Sequence, residues 1–351
     1  MSGFPAALPE SRVPDSHDAP VLNWGIAGPG WIAERFVESV TAHCAQNITA
    51  VGSRSAARAA DFAAKHSIPA SHGSYKELAQ DPNVEIVYVA TPHPQHFDAA
   101  MTAIDAGKHV LVEKPMGITG EQVRILADAA RARNVFAAEA LWTFFLPKFD
   151  VVTQLLENGT LGEIVSVFAE YGEHFEAGHR IFDPALAGGP LMDLGTYPLA
   201  FATRVLGAPE SVAAIGTPHP AGVNGHLSVA LGFADGAQGT VNTNLYNFTP
   251  TEAVVVGTEA TLRIDGPFNM PGGFTLRHKG GRELRFDEAP GAHFEGLHFE
   301  AAAAARSIAS GLTEAPQRPL EDTLRTLELA DEIRRQTGIE FPDTTTRKQT
   351  S

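Results

Sequence analysis

One hexapeptide constrains this chain more than any other feature. Gly28-Pro29-Gly30-Trp31-Ile32-Ala33 follows the apolar run VLNWGIAG (21–28) and opens a helical stretch beginning at Trp31. A strand, a glycine turn and a helix in that order begin a parallel strand–helix–strand unit. Within it Gly28 permits the tight turn, Gly30 lets the backbone approach a pyrophosphate, and Ala33 lets the helix lie close on the strand. The helix amino terminus, with Trp31 and Ile32 in its first turn, then faces the anion. Glycines that merely punctuate a loop do not need this bracketing by strand and helix. A dinucleotide-binding domain is expected.

The pattern continues for about a hundred residues. Apolar runs at 48–53, 84–91, 109–114 and 135–141 alternate with helical stretches at 31–43, 56–66, 75–80, 95–106 and 119–133, the signature of a doubly wound parallel sheet. After about Thr143 the character changes. Long alternating strands are expected at 163–173, 226–234 and 239–247, then shorter ones at 252–257, 261–265, 274–278 and 283–286, with helices at 147–158, 190–206, 295–310 and 320–336. The expected fold class is α/β: a Rossmann domain over 21–143 and a C-terminal α+β domain over 144–341 built on a large, mostly antiparallel open sheet. Residues 1–20 and 342–351 are expected to be disordered tails. A chain of 351 residues is more than one core usually holds, which agrees with two domains.

Charge and cysteine usage narrow the partners. With 26 Lys plus Arg against 41 Asp plus Glu, the net charge of −15 repels a phosphate backbone, so no nucleic acid is expected. Cys44 is the only cysteine, which excludes an intrachain disulfide and a cysteine zinc cluster and fits a reducing, cytoplasmic compartment. No apolar run approaches the roughly 20 residues that span a bilayer, and no basic-then-apolar secretory pattern opens the chain, so no membrane association is expected.

The second strand ends in Gly52-Ser53-Arg54-Ser55, with Arg58 following, where an NAD site would usually offer a carboxylate to the ribose. Ser53, Arg54 and Arg58 suit a 2′-phosphate instead, because a guanidinium grips phosphate oxygens through a planar donor fork. NADP(H) is therefore expected, with NAD possible. The plainer alternative is two solvated arginines at a helix start.

Three further segments carry chemistry: ATPHPQH (90–96), VEKP (112–115) and GGPLMDLGTY (188–197). Together with the glycine loop they resemble the glucose-fructose oxidoreductase / inositol dehydrogenase (Gfo/Idh/MocA) family of two-domain enzymes, over roughly residues 21–340. AEALWTFFLP (138–147) and DLGTYP (193–198) are most similar to its branch containing dimeric dihydrodiol dehydrogenase and NADP-dependent D-xylose dehydrogenase. The resemblance implies that Lys114 is catalytic, that Pro115 follows a cis bond aiming it inward, and that Thr91, Pro92, His96 and Glu113 line the cofactor with His93 towards the substrate. It also implies Asp193 and Tyr197 as substrate-facing partners, tyrosine standing where the family usually has histidine.

Residues four apart on a helix share a face, so Asp193 and Tyr197 are expected to point the same way, with a bend at Tyr197 caused by Pro198. A phenol ionises near pH 10, so a neighbouring Lys114 ammonium would be needed to make Tyr197 a useful acid. His174, Phe175 and Arg180 are expected to reach the substrate, and Trp142, with Phe144 and Phe145, to form an apolar wall. No metal is expected, because the histidine pairs lack a cysteine neighbour and an H-E-x-x-H pattern.

The expected function is hydride transfer between NADP(H) and a secondary alcohol, hemiacetal or carbonyl of a sugar, polyol or trans-dihydrodiol. The alternative is a nicotinamide-dinucleotide-sensing regulator on the same fold, without turnover. Val229, Leu231 and Phe233 alternate along one strand and are expected to form the open sheet face through which the chain makes a homo-oligomer, a dimer or tetramer.

Overall fold

The computed structural model describes residues 4–288 and 296–341, so the expected C-terminal tail and the expected helix start at Glu295 lie outside the described residues. The chain divides into two compact units. The first takes Pro14–Phe145 and returns for the described part of Ala292–Leu324. Its elements run β1 (Asn23–Ala27), α1 (Trp31–His43), β2 (Asn47–Gly52), α2 (Ala56–His66), β3 (Ala70–His72), α3 (Tyr75–Gln80), β4 (Ile86–Val89), α4 (His96–Asp105), β5 (His109–Glu113), α5 (Gly120–Arg133) and β6 (Ala137–Ala140). The strands form one parallel sheet in the order β3-β2-β1-β4-β5-β6. Every residue of β4 is buried, as a strand covered by helices on both faces requires. Ser55, Ser74 and Thr119 start α2, α3 and α5 by accepting a hydrogen bond from a first-turn amide. The three-residue edge strand β3 has no apolar alternation to announce it and was not expected.

The second unit contains α6 (Pro147–Glu157), β7 (Ile164–Gly172), α7 (Pro190–Asp193), α8 (Thr196–Leu206), β8 (Ser211–Pro218), β9 (Asn224–Gly232), β10 (Gln238–Asn244), β11 (Ala253–Gly257), β12 (Ala260–Ile264), β13 (Phe274–His278) and β14 (Glu283–Phe286). Its sheet order is β14-β13-β12-β11-β7-β10-β9-β8, antiparallel except where β10 runs parallel to β7. Helix α8 packs on β7 and β10, and the face it covers carries Val167, Ala169, Val241 and Val229 in register. This corrects one expectation. Val229 and Leu231 are buried on the covered side and Phe233 is buried beyond the strand end, so none of them forms the open face. The opposite face carries the register row Ala213, Ala230, Thr240, Phe168 and Val254, with Phe168 48% and Ile215 75% exposed.

The helix expected over 190–206 is broken, and not where Pro198 predicted. The turn falls at Leu194-Gly195, where a Cβ on Gly195 would meet the Leu191 carbonyl oxygen at 2.7 Å. Pro198 lies in the first turn of α8, where a missing N–H leaves no hydrogen bond unmade.

Two more helices follow, α9 (Leu297–Ala309) and α10 (Leu320–Thr337). A division at residue 143 would give α9 to the second unit. Instead α9 belongs to the first and packs on α1, its buried Ala301–Ala305 allowing close approach. The described residues before Val21 are also tied down. The Ser16 hydroxyl lies 2.8 Å from His298 Nδ1, and Arg12, in the second unit, donates to Asp150 Oδ1 at 2.7 Å. Among the described residues no helix is long and apolar enough to cross a membrane.

Candidate active site

In the first unit the glycine loop follows β1. Gly28 has φ +97° and its N–H donates to Gly52 O at 3.0 Å. Gly30 caps α1 with no side-chain hydrogen bond, and a Cβ placed there would meet nothing nearer than Ala90 O at 3.9 Å. The first-turn amides of α1 therefore have room before them for phosphate oxygens. Trp31 is 60% exposed beside this opening, Ile32 half-buried and Ala33 buried. At the end of β2, Ser53 is buried, while Arg54 and Arg58 are exposed. The Arg58 guanidinium donates to Pro29 O at 3.2 Å, which brings it onto the glycine loop. Thr91 is buried, and its hydroxyl has no hydrogen-bond partner. An open helix start, a glycine without a neighbour and an orphaned hydroxyl fit a dinucleotide.

After β4, Pro92 precedes the short turn His93–Gln95, and His93 is buried. His96 has Nδ1 2.7 Å from Pro115 O and Nε2 2.6 Å from Thr91 O. Carbonyl oxygens only accept, so the ring donates to them from whichever nitrogen carries the proton. It braces two backbone segments with the nitrogens expected to meet the cofactor.

Lys114 follows β5, half-buried, at the carboxyl end of the sheet where open α/β folds bind ligands; its bond to Pro115 is cis. Buried Glu113 accepts hydrogen bonds from Lys114 N at 3.1 Å and from the Tyr88 hydroxyl. Glu300 on α9 is fully buried, and its carboxyl oxygens have no hydrogen-bond partner. Burial first, and the Glu113 charge second, push it well above the carboxylate range. Trp142 is buried in the turn Trp142–Phe145.

In the second unit, buried Asp193 ends α7 and accepts from Arg180 Nη2 at 3.0 Å. Tyr197 is buried in the first turn of α8, its ring 5.8 Å from that of Tyr171. The Tyr171 hydroxyl donates to Glu173 Oε2 at 3.1 Å, and burial, aided by the Glu173 charge, pushes that phenol far up. Burial, then the Arg180 charge, hold His179 below the ordinary imidazole range. Phe175 stacks on His179 at 4.7 Å and packs on Ile181, Leu194, Val223 and Leu245. His174 is exposed, 3.8 Å from Glu176. Arg180, Asp193, Tyr197 and Phe175 thus gather in one unit. Tyr171, Glu173, Glu139, Arg318 and Glu300 were not foreseen; only Tyr171 and Glu173 had a signal, at the end of an expected strand.

Two family models match this chain. One, an oxidoreductase family with an NAD-binding Rossmann fold, covers residues 22–140, and the GFO/IDH/MocA C-terminal domain covers 149–263. Trans-1,2-dihydrobenzene-1,2-diol dehydrogenase of Bos taurus is 36% identical over 332 residues, 92% of this chain and 98% of that protein. Among solved structures, levoglucosan dehydrogenase in complex with NADH and levoglucosan has a TM-score of 0.82 at 20% identity, covering 91% of this chain and 98% of that one. A 3-ketoreductase from Actinomadura kijaniata, in complex with NADP and TDP-benzene, has a TM-score of 0.77 at 25% identity with the same coverage. Two-domain architecture, glycine loop, lysine after β5 and sequence all converge: the chain belongs to the GFO/IDH/MocA family of oxidoreductases.

Proposed function

We propose that this protein is an NADP(H)-dependent dehydrogenase or reductase acting on a secondary alcohol, hemiacetal or carbonyl of a sugar, polyol or trans-dihydrodiol. The observation that carries the reading is Lys114, half-buried at the carboxyl end of β5 in a Rossmann sheet whose glycine loop is open to a dinucleotide. The first-turn amides of α1, Thr91 and Glu113 would hold the nucleotide. Ser53, Arg54 and Arg58, with no acid at the end of β2, support a 2′-phosphate and hence NADP over NAD. When bound, the nicotinamide supplies the exchange of hydride with the substrate carbon. Lys114 and Tyr197 handle the hydroxyl proton, and Asp193, fixed by Arg180, orients substrate hydroxyls. Phe175, His174 and His93 complete the substrate contacts. The names of the dihydrodiol and levoglucosan dehydrogenases support this substrate class.

The same proposal includes a homo-oligomer formed through the sheet face that displays Phe168 and Ile215, and a cytoplasmic setting, supported by a single buried thiol.

The test is Lys114→Met, assayed on aldoses, polyols and trans-1,2-dihydrobenzene-1,2-diol with NADP+ and NAD+. Turnover is expected to fall at least about 100-fold while NADPH binding, read by fluorescence, persists. Unchanged turnover removes Lys114 from the chemistry, and a parent protein inactive on the whole panel favours the nucleotide-sensing alternative.

A further inference from the structure

Three buried ionisable side chains converge on the backbone around Lys114. Glu113 accepts from Lys114 N at 3.1 Å, His96 Nδ1 lies 2.7 Å from Pro115 O, and Glu139 Oε1 accepts from Met116 N at 3.0 Å. Glu139, on β6, is fully buried. Its other oxygen accepts from Arg318 Nε at 3.0 Å, Arg318 Nη2 at 2.9 Å and Thr323 Oγ1 at 3.1 Å. Arg318 is as deeply buried, its guanidinium 5.5 Å from the Phe144 ring centre. Arg318 and Thr323 come from the late segment that returns to the first unit.

A buried ion pair is a poor source of stability, because desolvation offsets most of its attraction and an apolar pair of similar volume does as well. What a hydrophobe cannot supply is an acceptor for the Met116 amide, which would otherwise be buried unpaired. The guanidinium fork and the Thr323 hydroxyl leave the Glu139 carboxylate one orientation, with its second oxygen aimed at that amide. We infer that Glu139 and Arg318 are positioning residues for Lys114: by holding the backbone at 116 they keep the amine two residues earlier in one place. Only the kinetic half of this inference rests on the dehydrogenase reading.

The chain has seven lysines, few enough for reductive methylation with 13C-formaldehyde to give separable signals, and Lys114→Met identifies that of Lys114. In Glu139→Gln and Arg318→Met the Lys114 signal is expected to move while the others stay. On a substrate the parent oxidises, kcat per NADPH-binding site should fall roughly 10- to 100-fold, with KM and NADPH affinity within about twofold. The double variant should be no worse than the worse single one, since the two residues act as a unit. A purely structural role would lower melting temperature and folded yield but leave the Lys114 signal and kcat per site in place, and that outcome overturns the inference. Thr323→Val, which deletes one donor to Glu139, serves if the charge variants do not fold. It should move the Lys114 signal in a folded protein, and an unmoved signal is equally fatal. A parent that oxidises nothing counts against the dehydrogenase reading alone, and the lysine spectrum then decides the positioning role.

Discussion

Alanine at Gly28 and alanine at Gly30 should damage this protein in different ways, although both glycines belong to one turn. At Gly28 the backbone has φ +97°, and an added Cβ would lie 2.9 Å from Ala90 O and 3.1 Å from Thr91 N. Both atoms are main chain of the strand end after β4 and cannot step aside. The conformation alone costs a non-glycine residue about 1–3 kcal/mol. With the contact included, about 3 kcal/mol is a reasonable total, or roughly 6–12 °C in melting temperature for a unit of this size. Gly30 is different. Its φ of −107° and ψ of −177° suit any residue, and the nearest atom to an added Cβ is 3.9 Å away. Alanine there should leave the nucleotide-free protein unchanged or slightly more stable, by about 0.4–1 kcal/mol, through a less flexible unfolded chain. Its methyl group would stand where pyrophosphate oxygens approach α1. Losing one charge-assisted hydrogen bond at about 1.5–3 kcal/mol weakens NADPH binding roughly 10- to 100-fold. Thermal melts without nucleotide and NADPH titrations separate the two effects. Gly30→Ala binding NADPH like the parent would refute the placement of the pyrophosphate, and Gly28→Ala melting with the parent would refute the steric argument.

Arg58→Ala should weaken NADPH about tenfold and leave NADH unaffected, since the guanidinium is assigned to the 2′-phosphate; equal losses for both nucleotides would remove that assignment. Phe168→Glu, on the sheet face away from α8, should shift the solution mass by light scattering towards the monomer, whereas Val229→Glu, on the buried face, should unfold the unit; a parent that is monomeric at every concentration contradicts the proposed oligomer. Lys148 on α6 is fully buried, donates to Met270 O, and is drawn down by burial to about 8. Unfolded, it holds its proton to about pH 10.4, so the unfolded chain binds more protons between pH 8 and 10.4 and native stability rises across that window. Below pH 8 the cost is roughly 3 kcal/mol, against about 1–2 for the hydrogen bond. Lys148→Met should therefore be about 1–2 kcal/mol more stable than the parent at pH 7 and lose that advantage by about pH 10.5. Urea unfolding at both pH values checks this, and a variant less stable at pH 7 would show the sign to be wrong.

What could be read from the chain and what could not divides by sequence distance. The glycine loop and the helices at 31–43, 56–66 and 75–80 depend on caps and apolar spacing within a few residues, and they stand as expected. The Asp193 and Tyr197 pair was argued from a nearly local rule whose premise fails at one residue: Gly195 turns the chain between them, so the two do not lie on one unbroken helix. Alternation along β9 correctly told two faces apart, yet whether its apolar side meets a helix or solvent is decided by α7, more than thirty residues earlier, and alternation carries no such information. Glu139 and Arg318 are 179 residues apart. In sequence, Glu139 interrupts an apolar strand and Arg318 sits between two prolines, so nothing marks them as partners. Each would be expensive if buried alone, and only the return of the chain to the first unit removes that cost. A charged residue inside an otherwise apolar strand next to a catalytic-looking loop therefore poses a definite question, namely which distant cation neutralises it. Local pattern can raise that question, and only tertiary structure answers it.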